Sequence, residues 1–114
     1  MNTLAMAYDE GLAARIREIL AGQAGATEKR MFGGTAFLLG GNMAAAASGH
    51  GDLLLRVDPA ETDALVAEPH AHRAVMRGRP MDGWLRVDAQ ALGDDELSRW
   101  IARGVAYTRT LPVK

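Results

Sequence analysis

Apolar and polar positions alternate with two different periods along this chain. Leu12, Ile16, Ile19 and Leu20 recur at the spacing of one helical face, which predicts an amphipathic helix over about residues 8–22. Asp9 and Glu10 supply acids at its start, and Gly22 or Gly25 supplies a stop. From Lys29 to Val57 the period shortens and glycines punctuate it. Thr35–Leu39 is a β-prone run, Gly40-Gly41-Asn42 a hairpin turn, and Met43–Ala47 a second strand identified by its flanking turns, because alanine itself has poor strand propensity. Leu53–Val57 is a third strand, with Leu53, Leu55 and Val57 on one side and Leu54 and Arg56 on the other. Asp58-Pro59-Ala60-Glu61 is a helix start of the capping-box kind, and the short helix it opens stops before Pro69. Two further strands are expected near Arg73–Arg77 and Gly83–Val87, joined through Gly78-Arg79-Pro80. A last helix opens at Asp94-Asp95-Glu96, buries Leu97, Trp100, Ile101 and Val105, and is ended by Pro112. The order α-β-β-β-α-β-β-α lacks regular βαβ alternation. It predicts an α+β fold with a mainly antiparallel five-stranded sheet and both long helices on one face.

Composition narrows the class without naming an activity. A chain of 114 residues has room for a single domain, 1–114. A hydrophobic share of 48% with 24% charged residues is that of a folded soluble protein. No apolar run approaches the roughly 20 residues of a membrane span, and the first residues lack the basic start of a signal peptide. The absence of cysteine excludes disulfide scaffolds, thiolate metal sites and cysteine nucleophiles, and fits a cytoplasmic location. A net charge of −1 disfavours nucleic acid as a partner except through a local basic patch.

Lys29-Arg30-Met31-Phe32-Gly33-Gly34, Leu53-Leu54-Leu55-Arg56-Val57-Asp58 and Gly83-Trp84-Leu85-Arg86-Val87, followed by a final helix opening Asp95-Glu96-Leu97, carry a family resemblance. From about Tyr8 to Lys114 the chain resembles the TfoX N-terminal-domain family, most distinctively in Arg30-Met31-Phe32-Gly33-Gly34. The resemblance implies an α+β domain similar to secretion-chaperone-like folds and related to regulators of natural competence. The longer members add a C-terminal domain, so this chain is expected to be the stand-alone form. Relatives often carry tyrosine at the positions of Leu54 and Leu85. The resemblance brings no catalytic residue set and no cofactor.

Several constellations invite chemistry. His70 and His72 are spaced to share one side of an extended chain, where Glu68 or Asp52 would have to complete a metal site. No third ligand is indicated, so no bound metal is expected. Gly33-Gly34 lacks the Gly-Lys-Ser/Thr ending of a phosphate loop and reads as a bend or bulge. Ser48 and His50 have no orienting acid beside them, and Asp94-Asp95 suits a helix N-terminus better than acid–base work. Met31, Met43, Met76 and Met81, like Trp100, are expected as core. What remains is the side of the sheet away from the helices, where alternation places Arg56, Trp84 and Arg86. Arg73, Arg77, Arg79 and Lys29 or Arg30 are expected nearby. Such a surface could bind an anionic ligand or a nucleic acid. Alternatively, Asp52, Asp58, Asp82 and Asp88 pair with the arginines in a solvated network. The leading expectation is a non-enzymatic regulatory module that acts through protein contacts, with homodimerisation one form of such contact.

Overall fold

A computed structural model describes residues 10–31, 33–49 and 51–114. Helix α1 runs from Glu10 to Leu20; the expected start at Tyr8 and Asp9 lies outside the described residues. Its apolar stripe is buried as the spacing requires, with Leu12, Ile16 and Leu20 almost wholly hidden and Ile19 packed at the margin. Burying each of those large side chains stabilises the fold by about 1.5–3 kcal/mol.

The sheet has six strands, not five: β1 (Ala26–Met31), β2 (Gly34–Leu39), β3 (Asn42–Ala47), β4 (Leu53–Arg56), β5 (Ala71–Met76) and β6 (Arg79–Val87). All neighbours are antiparallel, in the order β1-β2-β3-β4-β6-β5. The additional strand is β1. Its sequence, ATEKRM, shows no apolar alternation because nearly all of it is exposed at the sheet edge. Backbone pairing from Ala26↔Leu39 to Met31↔Gly34 makes it a strand, and its charged side chains suit an edge that must not recruit other chains.

The β5–β6 connection also differs from expectation. Met76 faces Arg79 across a two-residue turn of Arg77 and Gly78, whose φ values of 53° and 77° are those of a mirror-image hairpin turn. Arg79 and Pro80 therefore belong to β6. Proline is tolerated there because β4 pairs only with residues from Trp84 onward, which leaves that stretch of β6 with one free side.

Between β4 and β5, Asp58 accepts the Ala60 N–H (2.9 Å) and starts a 3-10 turn that leads into α2 (Thr62–Leu65). The buried Thr62 hydroxyl accepts the Gly83 N–H at 2.8 Å and ties α2 to β6. Helix α3 spans Asp94–Thr108, and Glu96 accepts the Gly93 N–H (3.1 Å) at its start. Both α1 and α3 lie against β3, on the same face of the sheet as expected. The alanines that made β3 a weak strand by propensity have a packing reason. Ala45 and Ala47 are fully buried, and small side chains let two helices approach that strand closely. Gly104 does the same on the helix side, since a Cβ there would lie 2.6 Å from Leu55 Cδ1 and 3.0 Å from the Arg56 carbonyl oxygen. The core between sheet and helices is Leu53, Leu55, Val57, Leu85 and Val87 against Leu97, Trp100 and Ile101.

Candidate functional site

The opposite, helix-free face holds the candidate site. Strand alternation turns Leu53 and Leu55 toward the helices and Leu54 and Arg56 away from them. Strands β4 and β6 are neighbours in register, with Leu54 opposite Arg86 and Arg56 opposite Trp84. Arg56, Trp84 and Arg86 therefore share one partly exposed surface.

Both guanidiniums on that surface are already engaged. The Arg56 guanidinium stacks 4.5 Å from the centre of the Trp84 ring, and its Nε donates to the Met43 carbonyl at 2.7 Å. Burial lowers the Arg56 pKa from its ordinary value, opposed by the negative charge of Tyr107 when its phenol ionises; an arginine so placed remains charged at neutral pH. Arg86 Nε lies 3.0 Å from Asp52 Oδ2, and Asp52 also accepts the Ser48 hydroxyl.

Arg73 is not part of this surface. It pairs with Leu85 in register and turns to the helix side, where it meets Asp63 and Asp82. The alternation of β5 itself continues, with His72, Ala74 and Met76 on the helix-free side. The register shift between Arg73 and Ala74 skips residues 82–84 on β6, and this bulge reverses the alternation of β6 and brings Met81 to the helix-free side, opposite Ala74. Of the four aspartates expected to pair with arginines, Asp52 and Asp82 do so. Asp58 caps the 3-10 turn, and Asp88 meets His72 Nε2 at 3.2 Å.

The methionines overturn their expected role. Met31, Met43, Met76 and Met81 are absent from the buried core. They lie on the helix-free side, where Met31, Ala36, Met43, Ala46, Leu54 and Met76 line a groove of about 270 Å³ whose wall also includes Ser48 and Arg86. A smaller hollow of about 110 Å³ continues it through Met81, Trp84 and Ala74. Val75 and Met76 are about half exposed, at 54% and 50%. Period-two alternation misses this groove because two of its elements are invisible to it: β1 has no apolar period, and the bulge in β6 between Met81 and Leu85 turns Met81 to this side.

The remaining candidates resolve into structure. His70 has a φ of 71°, which breaks the extended geometry that would align it with His72. His70 borders a cleft beside Trp100 and Arg103, whereas His72 lies opposite Arg86 on the groove side. Among the described residues no three His, Cys, Asp or Glu side chains are grouped to hold a metal ion. Gly33 adopts φ 78° in the turn between β1 and β2. At Gly34 a Cβ would sit 2.2 Å from the Ala47 carbonyl oxygen. The motif thus serves a turn and a close backbone approach. Phe32 and His50 lie outside the described residues. Trp100 is buried as expected, with the Arg103 guanidinium 4.5 Å from its ring centre.

A family model, the TfoX N-terminal domain, matches residues 18–107, from within α1 to the end of α3. The chain belongs to the TfoX N-terminal domain family. A search of the curated proteins finds no match, and neither does a search of the solved structures. In this TfoX N-terminal domain Arg30, Met31, Gly33 and Gly34, the described residues of the distinctive segment, lie at the β1–β2 corner, and Met31 borders the groove. Leu54 lies in the groove and Leu85 in the core. Among the described residues no helix is long and apolar enough to cross a membrane.

Proposed function

We propose that this TfoX N-terminal domain is a non-enzymatic, competence-regulator-like binding module of the cytoplasm, and that it acts through protein contact on the helix-free face of its sheet. The observation that carries the reading is the methionine-lined groove, an apolar surface outside the core. Contiguous exposed apolar surface marks interaction sites, and methionine is favoured where such a surface must adapt to its partner. The polar side chains around it support binding rather than catalysis: Asp52 holds Arg86 and Ser48, and Arg56 is fixed by Trp84 and the Met43 carbonyl. Recognition of phosphates or bases fits less well, because the Trp84 ring already carries a guanidinium on one side.

Capture from native lysate on immobilised protein, with and without nuclease, tests this reading when run beside Met43→Glu. That variant places a charge in the groove and leaves the helix-side core intact. Proteins retained after nuclease on the wild type and lost from Met43→Glu are the expected result. Retention unchanged by the variant, or capture abolished by nuclease, contradicts the proposal.

A further inference from the structure

Charge around the groove narrows the kind of partner. Lys29 lies opposite Ala36 and alternates with Met31, so it sits on the groove side of β1. Arg79 lies directly opposite Met76 at the tip of the β5–β6 hairpin, next to Arg77 in the turn. All three cations are exposed, and among the described residues none has an ion-pair partner. The carboxylates on this face are differently placed. Asp52 is committed to Arg86 and Asp88 to His72. The helix-free face thus carries Lys29, Arg56, Arg79 and Arg86 against Asp52 and Asp88, a positive surplus on a chain whose net charge is −1.

We infer that the groove receives the apolar side chains of an amphipathic segment of another protein, flanked by acidic residues that meet Lys29, Arg77 and Arg79. This rests on the protein-contact reading above and specifies the partner's chemistry. Three observations select it. The groove of about 270 Å³ and the hollow of about 110 Å³ that continues it form an open trough along the sheet face, from Met31 past Met43 and Leu54 to Trp84. It suits a few side chains projecting from a longer segment, as in helix-in-groove recognition. A second copy of this chain would bring the same cationic rim against itself, and like charges across an interface oppose association. A nucleic acid would satisfy the cations but not the methionine and alanine floor.

The test uses a fluorescein-labelled helical peptide of about five turns (~18 residues), with leucines on one face and glutamates flanking them, read by anisotropy. A counterpart with lysine in place of every glutamate is the control. The glutamate peptide is expected to bind about tenfold or more tightly than the lysine peptide at low salt, with the gap closing as salt rises. Lys29→Glu combined with Arg79→Glu reverses the preference, and Met76→Glu weakens both peptides. These positions are exposed, so the variants retain the fold, as circular dichroism verifies. Equal binding of the two peptides, or preference for lysine, overturns the inference; if Met76→Glu still weakens both, the protein-contact reading survives. If neither peptide binds, the inference fails, and sedimentation of the wild type separates the remaining cases. A dimer lost in Met76→Glu assigns the groove to a second copy, whereas a monomer removes the support for both readings. Binding of a single-stranded oligonucleotide, abolished by the double charge reversal, also overturns the inference.

Discussion

Gly104→Ala pits helix propensity against packing, and the structure decides the sign. In the interior of a helix, alanine in place of glycine normally gains about 1 kcal/mol. Here the new Cβ would lie 2.6 Å from Leu55 Cδ1, 3.2 Å from Leu55 Cγ and 3.0 Å from the Arg56 carbonyl oxygen. Leu55 is fully buried and cannot swing aside, and the carbonyl belongs to β4, fixed by strands on both sides. Overpacking of this kind costs about 1–3 kcal/mol. Taken at the middle of that range, it exceeds the propensity gain and leaves a net loss of about 1 kcal/mol. Urea unfolding followed by far-ultraviolet circular dichroism measures the difference, provided the urea slope is unchanged. Ala102→Gly, at an exposed position of the same helix, calibrates the propensity and should lose about 1 kcal/mol. If Gly104→Ala is instead more stable than wild type by about the amount that Ala102→Gly loses, α3 does not press on β4 and the packing argument is refuted.

Other substitutions separate causes that look alike in sequence. Gly34→Ala should cost about 3 kcal/mol or more by forcing β2 from the Ala47 carbonyl. Gly33→Ala, with open space around it but φ at 78°, should cost only about 1–2 kcal/mol; equal effects in thermal melts would contradict the distinction. Arg86→Ala breaks a partly exposed ion pair with Asp52 and should lose about 0–1 kcal/mol in stability. Titration with a short oligonucleotide at low salt should be flat for both wild type and Arg86→Ala, and a saturable, salt-sensitive response would show nucleic-acid recognition. The hydrogen bond from Arg17 holds the Glu28 carboxyl below its ordinary value of 4.5, opposed by slight burial and aided by the Arg17 charge. Because the folded pKa is depressed, the pair's contribution is present above pH 4.5 and is lost as pH falls through the folded value. The stability gap between wild type and Arg17→Ala should therefore be small at neutral pH, since both side chains are well exposed, and should vanish in acid. A gap that widens below pH 4.5 contradicts it.

Much of the architecture was legible because it is written in periodic burial. Leu12, Ile16 and Leu20 on α1, Leu97, Trp100 and Ile101 on α3, and the alternating residues of β4 and β6 all face the same core, so period alone places them. The features that escaped lack that signature. Strand β1 buries almost nothing and exists through backbone pairing to β2. The β5–β6 turn is carried by Arg77 at positive φ, a residue type that gives no turn signal. The site was legible in part. Alternation was enough to bring Arg56, Trp84 and Arg86 together, but it could not show that the two guanidiniums are occupied. The methionines were assigned to the core because residue type indicates apolarity and not which face bears it. The facing depends on the bulge in β6 that reverses its alternation at Met81 and on a strand without apolar period.

Methyl resonances of the methionines report most directly on the claim that the helix-free face is the contact surface. In protein carrying carbon-13 methionine methyls, titration with the glutamate-flanked peptide should shift or broaden Met31, Met43, Met76 and Met81 together. Isoleucine methyls of Ile16 and Ile101 in the helix-side core, labelled in parallel, should stay in place. If the peptide binds while those four methionine signals remain unmoved, the contact surface lies elsewhere and the account is wrong.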